Sequence, residues 1–179
     1  YNEVFYPAKK GSSEIIIGSQ YLTDLAGCGL PQHAYPVKDQ GWCIINPLGS
    51  LFEAYQFTDG TDFSYANPLY DKNNLGKNRD PRLDYTIYYT GATFKGTTYN
   101  SHPDSESVDA TQSGQTTQTG FMMRKYFDEN YNGDLKTYGV NIPIIRYAEV
   151  LLSYLEAKME AGEAITQDLL DETINTVRN

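Results

Sequence analysis

One segment constrains this chain more than any other: IPIIRYAEVLLSYLEAKMEAG, Ile142 to Gly162. Its spacing predicts a single long helix. Pro143 suits a first helical position, where its missing N–H has no partner to lose. Gly162 suits the stop, where a left-handed residue closes the last turn. Ile144, Ala148, Leu151, Leu155 and Met159 follow the spacing of one helical face. Arg146, Glu149, Ser153, Glu156 and Glu160 make a narrow polar stripe on another side. Nearly everything else in the segment is apolar, so the helix is expected to show water only a ribbon. Such a helix belongs inside an array of helices.

A second helix is expected next. Thr166 can cap it, and Ile165 can staple onto Leu170 across the cap. Ile165, Leu169, Ile174 and Val177 lie near one face. Together the two helices form one unit of a helical-repeat pattern, which cannot bury its apolar face alone. A second copy is not visible in the sequence, so the chain reads as part of a larger helical protein.

The totals exclude several function classes. The chain has 179 residues and a net charge of −9, from 23 acidic against 14 basic residues. That balance argues against nucleic acid, which requires a basic face. It argues equally against an anionic membrane surface. The sequence has no apolar run long enough for a transmembrane helix; it starts at Tyr1 rather than Met, so the lack of a signal peptide excludes nothing. It does have 16 Tyr, 7 Phe and one Trp. A flat apolar ring with a polar tip suits polar recognition surfaces in secreted proteins. Cys28 and Cys43 read as free buried thiols, with one disulfide in an oxidising compartment as the alternative. No cofactor is expected, and two thiols with two scattered histidines do not make a metal site.

Before the long helix the chain is rich in loops. Ile15-Ile16-Ile17 predicts a strand within 13–21. Residues 22–50 carry Cys28, His33, Trp42 and Cys43 without periodicity and read as a long loop. Pro47 to Tyr55 predicts a short helix. Leu83 to Thr90 alternates in strand fashion, and Phe121 to Phe127 predicts another strand. Residues 91–119, polar and with an acidic patch DSESVD, read as a mobile surface excursion. The expected layout is a loop- and strand-rich region over 13–141 and a helical pair over 142–179.

Four stretches then occur in order: Asn78-Arg79-Asp80-Pro81-Arg82-Leu83, Gly120-Phe121-Met122-Met123-Arg124-Lys125-Tyr126, Ile144-Ile145-Arg146-Tyr147-Ala148-Glu149-Val150-Leu151-Leu152 with Glu156-Ala157, and Ile174-Asn175-Thr176-Val177-Arg178. In this the chain resembles the SusD/RagB family of surface nutrient-binding lipoproteins, from about Glu14 to Arg178. The resemblance implies a mainly α fold with long loops and a few short β-strands, built on tetratricopeptide-like helix pairs. It implies a cell-surface protein of the Bacteroidetes outer membrane, lipid-anchored in its full-length form. Such a protein closes over a SusC-like TonB-dependent transporter and hands it oligosaccharide or, in some members, peptide. It implies binding without catalysis. Whole members are longer, so the leading helices, the lipidated cysteine and the tail after Arg178 are expected outside this chain. An adhesin-like interaction module is a further alternative.

Residues shared by a family with varied ligands are expected to serve the fold. Arg79, Asp80 and Arg82 are read as a turn whose arginines fix loops. Arg146 and Glu149, three apart on one helix, are read as a scaffold ion pair. A sugar site needs an aromatic ring for the C–H face of a pyranose and planar polar groups for its hydroxyls. The best stretch is Gln32 to Asn46, with His33, Tyr35, Asp39 and Trp42. Trp42 can be a stacking platform or a core indole packed on Ile44 and Ile45, and both readings stand. The second stretch carries Phe63, Tyr65 and Tyr70, with Asp59 and Asp62 lacking the spacing of a calcium loop. The third surrounds Phe94 and Tyr99. No motif of nucleophilic or phosphate chemistry is present, and carboxylates are too plentiful for their presence to argue glycoside hydrolysis. The acidic balance favours neutral ligands over anionic ones.

Overall fold

The computed structural model describes residues 2–111 and 116–178. In chain order its regular elements are β1 (Ile15–Ser19), α1 (Leu30–Ala34), α2 (Gly49–Glu53), α3 (Arg82–Thr86), β2 (Ile87–Tyr88), β3 (Thr93–Phe94), β4 (Thr97–Thr98), β5 (Met122–Met123), β6 (Ile142–Arg146), α4 (Tyr147–Glu160), α5 (Gln167–Leu170) and α6 (Thr176–Arg178). Two compact units result. One holds residues 21–140, and the other holds 3–20 with 141–179.

The smaller unit differs from the expected single helix. Ile142–Arg146 is a strand that pairs antiparallel with β1, Ile15 opposite Arg146 and Ser19 opposite Ile142. The reason is local as well as tertiary. A residue before proline is driven toward extended backbone, and Ile142 precedes Pro143. Three β-branched isoleucines add strand preference, and the partner strand supplies the ladder. The helix therefore starts at Tyr147. Glu14 receives that start: its carbonyl accepts from Tyr147 N–H at 2.8 Å. Its carboxylate lies 3.4 Å from Ala148 N and accepts from Arg146 Nη1 at 3.2 Å. A carboxylate at a helix N-terminus is favourable both as a cap and against the helix dipole. Arg146 therefore pairs with Glu14, 132 residues earlier, while Glu149 is exposed.

The other helix signals hold. Gly162 has φ of +71° and follows bonds from Ala161 N–H to Ala157 O and from Gly162 N–H to Met159 O, both 3.0 Å. The hydroxyl of Thr166 accepts from Leu169 N–H at 3.2 Å. Between α5 and α6 the chain makes a π turn over Asp171–Asn175. There Thr173 donates to Leu169 O at 2.5 Å and Thr176 to Asp171 O at 2.6 Å. Hydroxyls bonding back to carbonyls in this way loosen and bend a helix. Only Ala148 and Leu155 of α4 are buried. Tyr147, Val150, Leu152, Tyr154 and Met159 are exposed by 40–58%, so the apolar breadth of this helix is uncovered within the described residues.

The larger unit is a tyrosine-rich core wrapped in loops. Tyr35, Leu83, Ile87, Tyr88, Phe94 and Tyr99 are fully buried, with Phe52, Met122 and Phe127 nearly so. Two expected strands shrink. Leu83 to Thr86 belongs to α3, nucleated by the Asp80-Pro81 turn, and only Ile87–Tyr88 pairs, with Met122–Met123. The stretch after Gly91 is not a loose excursion. Phe94, Tyr99, Ser101, Asp109, Ala110, Thr116 and Thr117 are buried, and β3 pairs with β4. Residues 112–115 lie outside the described residues. The tyrosine hydroxyls are used inside. Tyr88 donates to Glu129 at 2.8 Å, Tyr138 accepts from Asp128 N–H at 3.1 Å, and Tyr35 donates to Asp128 O at 3.3 Å. Loops leave many backbone groups without ladder partners, and a core ring with a polar tip can satisfy them.

Arg79 organises one side of this core. It is 4% exposed. Its guanidinium carbon lies 4.2 Å from the Phe63 ring, 4.6 Å from Phe52 and 5.4 Å from Phe57. Nη2 donates to Phe52 O at 2.7 Å and Tyr55 O at 2.8 Å, which binds the carbonyl end of α2. Burial pulls its pKa below the usual arginine value. Replacing Arg79 by Met leaves those carbonyls without their charged donor, and is expected to lower the unfolding free energy by about 2–4 kcal/mol. Arg79→Lys should recover only part, since an ammonium lacks the fork. Urea midpoints of the three proteins test this, and equal midpoints would remove Arg79 from its organising role.

Candidate functional site

The Leu30–Asn46 loop is built to hold one ring in and push another out. Pro31 sits in the first turn of α1, and Pro36 ends the helix by following Tyr35 in extended conformation. Gln40 then turns the chain with φ of +67°. At Gly41 a Cβ would come within 2.2 Å of Tyr35 O, so only glycine lets the two segments meet. The return segment bonds back: Trp42 N–H to Gln32 O and Ile44 N–H to His33 O, both 2.7 Å, and Cys43 N–H to Tyr35 O at 3.2 Å. Cys43 is buried with its thiol pKa pushed up to about 11 by burial, and both cysteines are free.

Alternation along this paired segment decides which candidates can meet a ligand. Tyr35 points inward, edge-on to Phe127 at 4.6 Å and to Phe94 at 5.3 Å. It is fully buried and presents no face to a sugar. Trp42 points outward and is 52% exposed. It meets His33 edge to face, with centroids 5.0 Å apart. His33 Nδ1 is 2.8 Å from Gly29 O, a carbonyl, so Nδ1 is the donor of that bond. Ile44 and Ile45 are themselves exposed, so the indole is not packed into a core between them.

Asp39 follows Lys38 at the tip of the same loop. Its Oδ2 is buried without a hydrogen-bond partner, as is Oδ2 of Asp109. Burial raises the pKa of both, against the pull of Lys38 on each and of Lys95 on Asp39. Lys38 is 3.8 Å from Asp109 and donates to Thr97 at 2.9 Å. Asp39 thus keeps one carboxylate oxygen out of water at the loop tip.

The second predicted stretch forms its own aromatic group. Phe63 lies over Arg79 and meets Tyr65 at 4.8 Å and Tyr70 at 5.8 Å. Tyr65 is 64% exposed and its hydroxyl donates to Glu53 at 2.9 Å. Asp59 is committed to a turn, accepting from Thr61 N–H and hydroxyl at 2.9 and 2.7 Å. Beside this group a cleft of about 280 Å³ is lined by Leu51, Tyr55, Gln56, Asp62, Asp80 and Arg82. Asp80 holds Arg82 with both carboxylate oxygens, and Asp80 N–H donates to Gln56 O at 2.9 Å. Gln56 escaped the sequence reading because nothing in its neighbourhood is periodic. Tyr99, from the third stretch, is fully buried, as is Phe94. The structure therefore displays Trp42 with His33, and Tyr65 beside the partly buried Phe63 and Tyr70, and withdraws Tyr35 and Tyr99 into the core.

Comparison with known proteins bears on these surfaces. The family model described as the SusD family matches residues 12–179. A solved SusD-like carbohydrate-binding protein from Bacteroides fragilis is 52% identical, with a TM-score of 0.91 over 99% of this chain and 36% of that one. A second SusD-like protein from Bacteroides fragilis is 25% identical, with a TM-score of 0.71 over 99% of this chain and 37% of that one. The chain thus spans a little over a third of these relatives. None of the curated proteins matches.

The two aspartates with a buried carboxylate oxygen yield a pH prediction. Their folded pKa values lie above the ordinary 3.8, so the folded state takes up their protons more readily than the unfolded one. Their contribution to stability is greatest when they are protonated and falls as pH rises through the folded values. Asp109→Asn should therefore gain most over the wild type at neutral pH, and the gain should shrink toward the ordinary carboxylate value. Thermal midpoints of both proteins against pH check it; a difference that grows on acidification would contradict the burial argument.

Proposed function

The chain belongs to the SusD family, and from that premise we propose that it is the ligand-facing part of a surface carbohydrate-binding protein. In this reading the full-length protein is lipid-anchored on the extracellular face of the outer membrane. It captures oligosaccharide and passes it to a SusC-like TonB-dependent transporter. It binds without breaking bonds. The region over 13–141 carries the ligand surface. The α4 helix with the helical stretch after it is one unit of a tetratricopeptide-like array, whose other units cover the exposed Val150, Leu152 and Tyr154.

The observation that carries the reading is the display of Trp42. An indole half open to water would ordinarily be withdrawn, since burying a large aromatic surface is favourable. Here backbone bonds on both sides of the ring hold it out, and His33 stands perpendicular to it. A pyranose presents an apolar C–H face to such a ring while its hydroxyls reach planar polar groups. The 52% identical relative being a SusD-like carbohydrate-binding protein supports the same ligand class. The net charge of −9 favours neutral over anionic sugars.

Titrating the full-length protein with neutral and acidic oligosaccharides tests this. The Trp42 signal is isolated as the fluorescence difference between wild type and Trp42→Phe. One class of neutral sugar should give a saturable change, and calorimetry of Trp42→Ala should show binding weakened about 10-fold or more, worth roughly 1.4 kcal/mol. Silence across the whole panel would sink the proposal and favour a peptide ligand.

A further inference from the structure

We propose that the cleft between the end of α2 and the Asp80–Arg82 turn is a second saccharide subsite, taking one neutral sugar ring through contacts of its own beside those of Trp42. It rests on the reading of the protein as a glycan binder. The cleft's volume of about 280 Å³ lies near the lower limit of small-molecule sites, roughly 300 Å³, which suits a single ring rather than a chain.

The lining has the chemistry of sugar recognition. Gln56 brings an amide, Asp62 and Asp80 carboxylates, and Arg82 a guanidinium. All four groups are planar, and Gln56 and Asp62, joined by a single exposed hydrogen bond, are the pair that can turn to a sugar's hydroxyls. Leu51 and Tyr55 add apolar lining. The two carboxylates outnumber the one guanidinium, so a uronate or sulfated sugar would be repelled.

The walls are also set before any ligand arrives. Gln56 Nε2 donates to Asp62 Oδ1 at 3.0 Å. Arg82 Nε donates to both oxygens of Asp80, at 2.9 and 3.1 Å, and Arg82 N–H donates to Oδ1 at 2.9 Å. The segments carrying them are joined by Asp80 N–H to Gln56 O at 2.9 Å and Thr58 N–H to Asn78 O at 2.8 Å. Asn78, at φ of +59°, accepts a strained backbone to make that junction. Beneath it Arg79 fixes the carbonyls of Phe52 and Tyr55. Preorganised polar groups spare a ligand the ordering cost of binding. Exposed pairs such as Gln56 with Asp62 contribute little to folding, so their side chains can be changed without loss of the fold.

The test uses the full-length protein and calorimetric titration with the neutral oligosaccharide that wild type binds best in a panel of glucan, xylan and mannan fragments, with a uronate oligosaccharide for contrast. Asp62→Ala and Gln56→Ala should each weaken binding about 10-fold at an unchanged urea midpoint, and Asp62→Asn, which keeps an acceptor, should retain most of it. If both alanine variants bind like wild type while Trp42→Ala does not, the cleft proposal is overturned and the glycan reading stands. If wild type binds nothing in the panel, both are overturned. Tighter binding of the uronate would overturn the assignment of a neutral sugar.

Discussion

A guanidinium buried among three phenyl rings is the constraint on which the larger unit depends. Taking a charge out of water is costly, and among the described residues no carboxylate pairs with Arg79. Cation–π contact with Phe52, Phe57 and Phe63 and two backbone carbonyls offset that cost. The consequence is geometric. A helix of five residues, α2, is too short to hold its shape alone, and Arg79 ties off its carbonyl end. The same turn that delivers Arg79 aims Asp80 and Arg82 back toward Gln56, so one buried side chain shapes both the aromatic group around Phe63 and the polar cleft beside it.

The rest of that unit solves a problem set by its scarcity of regular structure. Its longest described elements are the five-residue helices α1, α2 and α3. Loops must find hydrogen-bond partners for their backbone, and buried tyrosines provide them while filling volume. Composition points to tyrosine as a recognition residue, yet Tyr35, Tyr88, Tyr99 and Tyr138 are core. Burying these rings anchors the loops, and anchored loops can hold Trp42 and Tyr65 out in water. The two uses of aromatic residues are linked, since a displayed ring needs a fixed base.

In the smaller unit, the junction at Arg146 does comparable work. Strand β6 ends and α4 begins at that residue, with Glu14 serving as cap and as ion-pair partner at once. Arg146 also lies over Phe5 at 5.3 Å. A family signature residue thereby controls where extended backbone gives way to helix. The SusD family relationship accounts for the order of these signatures along the chain. Among the described residues the apolar side of α4 is uncovered.

Much was legible in the sequence by itself. Gly162 and Thr166 mark helix ends because cap chemistry is local, and β1 and α2 follow from short apolar runs. The hydrogen bonds of Arg79 to loop carbonyls suit a residue type built for forked donation. Trp42 stood out as the one indole in a loop. What tertiary structure decided was everything that depended on a distant partner. The Ile142–Arg146 segment is a strand because β1 lies against it. Arg146 chooses Glu14 over Glu149 because the sheet brings Glu14 to the helix start. Tyr35 and Trp42 belong to one short stretch with one aromatic signature, yet the first is core and the second is displayed. The packing of Tyr35 on Phe94 and Phe127, far along the chain, joins the loop's own backbone bonds in deciding which side faces inward.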